Sequence, residues 1–325
     1  MTEQILPALY RIVVPLPGSP LKEVNSYVLT SRERNVVIDT GLNRPECREA
    51  LLGGLDEIGV DLERTDFVAT HFHADHHALI PELIRPGRQA AMGAVDADLM
   101  RVGFHSEAGG MSDYLIRSGF PRPDLEASLR EHPAFRYRSE RQVEFRPLRQ
   151  GDVIEVGDYR FETIDTPGHS PGHVSFYERT KRIFLAGDHV LGDITPNIQA
   201  WSDDHDPLAE FLASLRKVEP LEVEICLPGH RSLIADFQGR IAELIEHHRH
   251  RTEEALEVVG RGPQSAYQVA ASMRWRIRAR SWEDFPVMQR WFATGETIAH
   301  LRFLEEQGRV ERQEREGRIL YAASG

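Results

Sequence analysis

Residues 69 to 79 read ATHFHADHHAL and place His71, His73, Asp75, His76 and His77 within a few positions of one another. Deprotonated imidazole and carboxylate groups that converge on one point are metal ligands. His71 and His73 are two apart, so on an extended segment both face the same side. Asp75 and His76 follow where the chain turns into a helix and aim at a second point. One segment can thus feed two neighbouring ions, but it completes neither shell. Distant partners stand in TIDTPGHSPGH (His169), IFLAGDH (Asp188) and EICLPGH (His230). Each follows a short apolar run broken by Gly or Pro-Gly. In α/β folds such strand ends converge on one face of the sheet, where ligands bind.

The elements that must deliver these residues are legible as alternating strand and helix signals. Residues 10–14, 25–30, 35–39 and 67–70 read as strands, and 44–58 as a helix with Leu51, Leu52, Leu55 and Ile58 on one face. Residues 78–84 continue the His cluster as a helix. From about 95 to 148 the rhythm changes to helices joined by a glycine turn, which reads as an insertion over the sheet and a candidate lid. It ends in a basic run, Arg136, Arg138, Arg141, Arg146 and Arg149, expected to be a solvated face. Strands resume at 152–156, 159–164, 173–177, 182–186 and 224–227, with helices at 208–218 and 237–259. Residues 1–259 are therefore expected to form the catalytic domain. Residues 260–325, with helices at 266–273 and 295–307 and a hairpin turning near Gly317, are expected to form a small winged-helix-like domain.

The motif His71-x-His73-x-Asp75-His76, followed by His169, Asp188 and His230 and preceded by IDTG at 38–41, resembles the metallo-β-lactamase superfamily of binuclear hydrolases. The His71 to His76 portion is similar to its glyoxalase II-like branch. The resemblance implies an α/β fold, a four-layer αββα sandwich. It also implies one metal on His71, His73 and His169, a second on Asp75, His76 and His230, and Asp188 bridging both. It further implies two divalent ions, Zn²⁺ on the His-rich ligation, with Fe or Mn also compatible. A bridging hydroxide would then attack an acyl or phosphoryl centre, with Asp75 orienting it or taking its proton. Asp39 is the carboxylate expected to hold a ligand imidazole in its tautomer. This chain departs from many relatives in reading His77-Ala78-Leu79 where glycines are common. His77 and His173 are expected to be structural, His189 is a weaker site candidate, and His247, His248 and His250 are expected on a solvated helix face. Trp275, Trp282, Trp291 and Phe292 are expected to pack the core of the small domain.

Composition narrows the function. A formal charge of −12 over 325 residues disfavours a polyanionic partner. Residues 251–325 carry 12 Arg against 11 Asp and Glu, and the candidate recognition helix is acid-rich. Two cysteines, Cys47 and Cys226, make no disulfide framework. No leader or membrane-length apolar run is present, so a cytoplasmic enzyme acting on a small molecule is expected, with a homodimer left open. Hydrolysis of an acyl ester or thioester, acyl-CoA included, is the first reading. An endoribonuclease or other phosphodiesterase and a lactonase are the alternatives. Flavodiiron proteins share the scaffold but carry Glu where this chain has His73.

Overall fold

The structure is a computed structural model that describes residues 1–102, 104–137, 139–200 and 202–324, with backbone alone over 104–110. The chain divides into two compact units. Unit 1 comprises Met1–Val102, Pro133–Pro196 and Ser214–Ile241. Unit 2 comprises Gly103–His132, Asn197–Ala213 and Ala242–Gly325. The boundary expected at 259/260 does not coincide with this division, because three separate segments build the second unit.

Unit 1 holds two sheets. The first runs β1 (Thr2–Leu6), β2 (Leu9–Pro15), β3 (Glu23–Leu29), β4 (Asn35–Ile38), β5 (Thr65–Val68), β6 (Ala90–Gly93) and β7 (Phe145–Leu148), in chain order across the sheet. β1 to β4 pair antiparallel and β4 to β7 parallel. The second sheet contains β8 (Val153–Val156), β9 (Tyr159–Asp165), β10 (Val174–Glu178), β11 (Ile183–Gly187) and β12 (Ile225–Pro228). Its order is β12-β11-β10-β9-β8, with only β11 and β12 parallel. Ile38, Val68 and Leu148 from the first sheet share one buried apolar cluster with Phe161, Phe176 and Leu185 from the second. Burial of such side chains contributes roughly 1.5–3 kcal/mol each.

Helices cover the outer faces. α1 (Pro45–Ile58) starts at a proline and ends at Gly59, whose φ of 81° closes the last turn. It buries Cys47, Leu51, Gly54 and Leu55. A Cβ at Gly54 would come within 2.7 Å of Ile12 on β2, so α1 lies directly against the first sheet. α2 (Ala74–His77) and α3 (Ile80–Leu83) carry the His cluster, and α4 (Ala94–Val102) follows β6. On the second sheet, Phe184 of β11 meets Phe237 at a ring distance of 5.1 Å. The layers of unit 1 are thus helix, sheet, sheet, helix, the expected α/β sandwich.

One correction concerns the insertion. Phe145–Leu148, read as its end, is the edge strand β7, paired with β6 from Ala90↔Phe145 to Gly93↔Leu148. Pro147 is tolerated there because an edge strand has one unpaired side. Within the same stretch lie α5 (Phe104–Arg117), α6 (Arg122–Glu131) and α7 (Pro133–Arg136). Arg136, Arg141, Arg146 and Arg149 are exposed, whereas Arg138 lies outside the described residues.

α8 (Pro207–Val218) and α9 (Phe237–Val259) each have residues in both units, and the chain after α9 belongs to unit 2. There, α10 (Ala266–Ser272) opens with a capping box between Ser265 and Gln268. α11 spans Val287–Glu306, eight residues earlier in onset than the sequence pattern marks. β13 (Val310–Arg315) and β14 (Arg318–Ala323) form a hairpin whose two turn residues, Glu316 and Gly317, both have positive φ. Trp291 is core, 2% exposed. His248, expected on a solvated face, is also buried: it stacks on His300 at 5.5 Å and meets Phe211 at 5.3 Å. Among the described residues no helix is long and apolar enough to cross a membrane.

Candidate metal centre

Four strand ends and the loop between β9 and β10, which carries His169, deliver the site. β4 ends at Ile38, and Asp39 follows with a φ of 61°, a left-handed turn that Asp tolerates. β5, parallel to it, ends at Val68 and releases Thr70 and His71. β11 delivers Asp188 and β12 delivers His230. The last two are held in step by the Gly229 N–H, which donates to the Gly187 carbonyl at 2.7 Å. Two further bonds join the sheets at this end. The Asn25 N–H donates to the Gly229 carbonyl at 2.7 Å, and the Tyr27 hydroxyl to the Pro228 carbonyl at 2.8 Å.

The donor atoms fall into overlapping groups: His71 with His73 and His169, His71 with His76 and Asp188, and Asp75 with His76 and His230. His71 Nε2 lies 2.9 Å from His73 Nδ1, which lies 2.9 Å from His169 Nε2. His230 Nε2 lies 3.6 Å from Asp75 Oδ2, and His76 Nε2 lies 4.0 Å from Asp75 Oδ1. Asp188 stands between the groups, its Oδ2 3.5 Å from His169 Nε2 and 3.2 Å from His230 Nε2. Its Oδ1 is 3.7 Å from His76 Nε2. All seven residues singled out from the sequence therefore come together in unit 1.

The far nitrogens of three rings are fixed by other groups. His76 Nδ1 meets the Asp39 carboxylate at 2.8 Å, and His230 Nδ1 donates to the Glu23 carbonyl at 2.6 Å. His71 Nδ1 meets the Thr70 hydroxyl at 3.0 Å. A ring that donates from Nδ1 presents a lone pair at Nε2. His76 Nε2, His230 Nε2 and Asp188 Oδ1 are buried without an aligned hydrogen-bond partner. Each such orphan costs roughly 1–3 kcal/mol, so three in one spot argue for an occupant that takes lone pairs. A tetrahedral ion with metal–nitrogen bonds of about 2.0–2.1 Å holds its donors about 3.3 Å apart, inside the observed range. The residues fit divalent metal ions.

The electrostatics agree. Burial lowers the His76 pKa, but the Asp39, Asp188 and Asp75 carboxylates override it and push the group up to about 10. Burial raises the Asp188 carboxyl, but His230, His76 and His169 hold it well below the usual carboxylate range. The carboxylate field that favours a proton on His76 favours a metal cation in the same place. Burial, reinforced by the neighbouring imidazoles, pushes His71 well down, toward the neutral form a metal requires.

Asp96 is the site residue that the sequence reading missed. It is fully buried on α4 and accepts hydrogen bonds from both ligand-bearing loops. The Phe72 N–H donates to it at 2.9 Å, between His71 and His73. The Ser170 hydroxyl and the Gly172 N–H, just after His169, donate at 2.6 Å each. A Cβ on Gly172 would stand 2.2 Å from the Asp96 backbone nitrogen, so only glycine permits this approach. Burial raises the Asp96 carboxyl to about 7, against the pull of these donors. An acid in a helical stretch resembles a solvated residue, and no local signal marked it.

His173 also has a definite task. Its Nε2 accepts from the Asp188 N–H at 3.0 Å while Nδ1 meets the Thr166 hydroxyl at 2.8 Å. Gly187 is squeezed between His173 and Thr70: a Cβ there would meet them at 2.7 and 2.9 Å. His77 lies outside the donor groups, its ring edge-on to Phe145 at 6.0 Å. His189 is buried and also outside them.

Comparison with known proteins gives the same assignment to the fold. Residues 20–230 match the metallo-beta-lactamase superfamily, and residues 252–324 match the metallo-beta-lactamase-like C-terminal domain. A metallo-beta-lactamase family protein of Thermus thermophilus is 31% identical, with a TM-score of 0.82 over 99% of this chain and 100% of its own. A beta-lactamase domain protein of Burkholderia ambifaria is 25% identical, with a TM-score of 0.87 over 99% and 94%. An atrochrysone carboxyl ACP thioesterase of Aspergillus novofumigatus is 24% identical over 79% of this chain and 64% of its own. The chain thus spans slightly less than two thirds of that relative's length.

Proposed function

Because the chain belongs to the metallo-beta-lactamase superfamily, we propose that it is a metal-dependent hydrolase of acyl thioesters. The observation that carries the reading is the carboxylate of Asp188 set between two imidazole groups, with lone pairs of His76 and His230 aimed at the same place and otherwise unused. The similarity to an ACP thioesterase supports the thioester as the bond attacked. Zn²⁺ suits the His-rich donor set best.

His71, His73 and His169 would hold one ion and Asp75, His76 and His230 the other, with Asp188 shared. When bound, the ions would supply a water deprotonated near neutral pH and would polarise the scissile carbonyl. The protein's own groups do the rest. Asp39 and the Glu23 carbonyl keep His76 and His230 turned with Nε2 inward. Asp75 is the most open of the three carboxylates, its side chain 15% exposed against 6% for Asp188 and 2% for Asp39. We therefore assign it the role of taking the proton of an incoming water. A thiol leaving group, with a pKa near 8.5, departs as thiolate with little need for a general acid.

The test is elemental analysis of the purified protein followed by a panel of acyl thioesters, lactones and RNA. Two equivalents of metal and turnover of thioesters are expected. Turnover of RNA without any thioester would remove the reading.

A further inference from the structure

Residues 273–280 of unit 2 read MRWRIRAR, with an arginine at every second position. Side chains two apart on an extended segment face the same way. Burial follows that alternation: Arg274, Arg276, Arg278 and Arg280 are exposed, and Trp275, Ile277 and Ala279 are half-buried. The apolar side lines a cavity of about 200 Å³ together with Met273, Arg280, Trp282 and Phe285. The segment is anchored from beneath. The Trp275 indole N–H donates to the Ala270 carbonyl at 2.8 Å, and the Arg251 guanidinium lies 4.2 Å over its ring. Arg274 reaches Glu254 at 3.4 Å. Arg276, Arg278 and Arg280 show no ion pair among the described residues. Four exposed arginines within seven residues stand out in a chain of net charge −12.

We propose that this row is a docking face for an acidic helix on the carrier protein that delivers the thioester. The inference rests on the thioesterase reading above. Exposed arginines at every second position present a row of cations that a helix face carrying Asp or Glu at i, i+4 and i+8 complements in charge. Guanidinium groups bond carboxylates through two parallel donors. A protein partner is favoured over a nucleic acid by the chain's overall negative charge and by the Arg251 guanidinium on Trp275, which takes one ring face a base would stack on.

The experiment compares the wild type, R276E/R278E/R280E and R276K/R278K/R280K. Each is given one acyl group either on an acyl carrier protein or on N-acetylcysteamine. The ratio of KM values, carrier over small thiol, is expected to rise at least tenfold in the Glu variant and to stay within about threefold of wild type in the Lys variant. Binding is read separately with two labelled probes, a helical peptide carrying Glu at every fourth position and single-stranded oligo(U). Peptide affinity should fall steeply with salt in the wild type and vanish in the Glu variant. An unchanged KM ratio, or binding of oligo(U) but not of the peptide, overturns the docking face. If no thioester is turned over but the peptide binding behaves as stated, the docking face stands and the thioesterase reading falls.

Discussion

The Asp39 carboxylate lies 2.8 Å from Nδ1 of His76, and Nε2 of the same ring is buried without a hydrogen-bond partner. One end of the imidazole is thereby tied and the other left open. Asp39 also accepts from the Thr70 N–H at 2.8 Å and the Thr70 hydroxyl at 3.0 Å, so one side chain orients His76 and the entry to His71. Asp39→Asn is expected to lower affinity for the more weakly held ion by 10- to 100-fold. Competition with a chromogenic chelator reads this directly, and wild-type affinity in the variant would show that the carboxylate does not position the ring.

Asp96 ties the His71–His73 segment to the loop of His169. Asp96→Ala leaves the Phe72 N–H, the Gly172 N–H and the Ser170 hydroxyl without their common acceptor. At about 1–3 kcal/mol for each buried orphan, partly relieved by water, a loss of about 3 kcal/mol in stability is expected. Asp96→Asn, which keeps an acceptor oxygen, should lose less. Urea unfolding of the metal-free forms separates the two; equal stability of all three proteins contradicts the bridge.

Gly187→Ala should be costly for two reasons. Its φ of 52° disfavours a Cβ, and the added methyl collides with His173 Nε2 and Thr70 Cβ. Since His173 accepts from the Asp188 N–H, relief of the clash displaces Asp188. The variant is expected to melt at least 5 °C lower and to bind fewer than two metal equivalents. Unaltered metal stoichiometry would place the strain elsewhere.

Burial drives His300 down to about 3. Its folded pKa is below the unfolded 6.5, so the native state binds fewer protons than the unfolded chain between these values. The stability this gives is present above about pH 6.5 and is lost as pH falls toward 3. Between pH 6 and 4 the wild type is expected to lose stability more steeply than His300→Gln, by on the order of 1 kcal/mol per pH unit. Chemical denaturation across that interval is the check, and parallel curves for the two proteins would refute the assignment.

The seven residues that come together in unit 1 were more legible in the sequence than some of the strands that carry them. Asp188 and His230 announce themselves because apolar runs end at Gly or Pro-Gly immediately before them. Strands β1 and β6 carry weaker signals: AAMG has no β-branched residue, and its parallel pairing with β5 and β7 leaves no alternation to read. β7 was hidden by Pro147, whose cost depends on lying at an edge, a property of the assembled sheet alone. His248 shows the same limit. Leu244 and Ala255 share its buried helix face, but the run of polar residues beside it in the sequence masks that period, and His300 and Phe211, distant in sequence, pack on it. Asp96 needs two loops to give it meaning.

The first sheet follows chain order without a crossing, from β1 to β7. Its half of the donor set, His71 to His76, is therefore made long before residue 230 during synthesis, which proceeds from the N-terminus. Until the second sheet arrives, the inner face with Ile38 and Val68 has no cover and the early histidines have no Asp188 or His230 beside them. A nascent chain held on the ribosome at residue 150 would thus be both sticky and unable to hold two ions. A two-metal site of the kind proposed would therefore be complete only once residue 230 has been made and the two sheets have met.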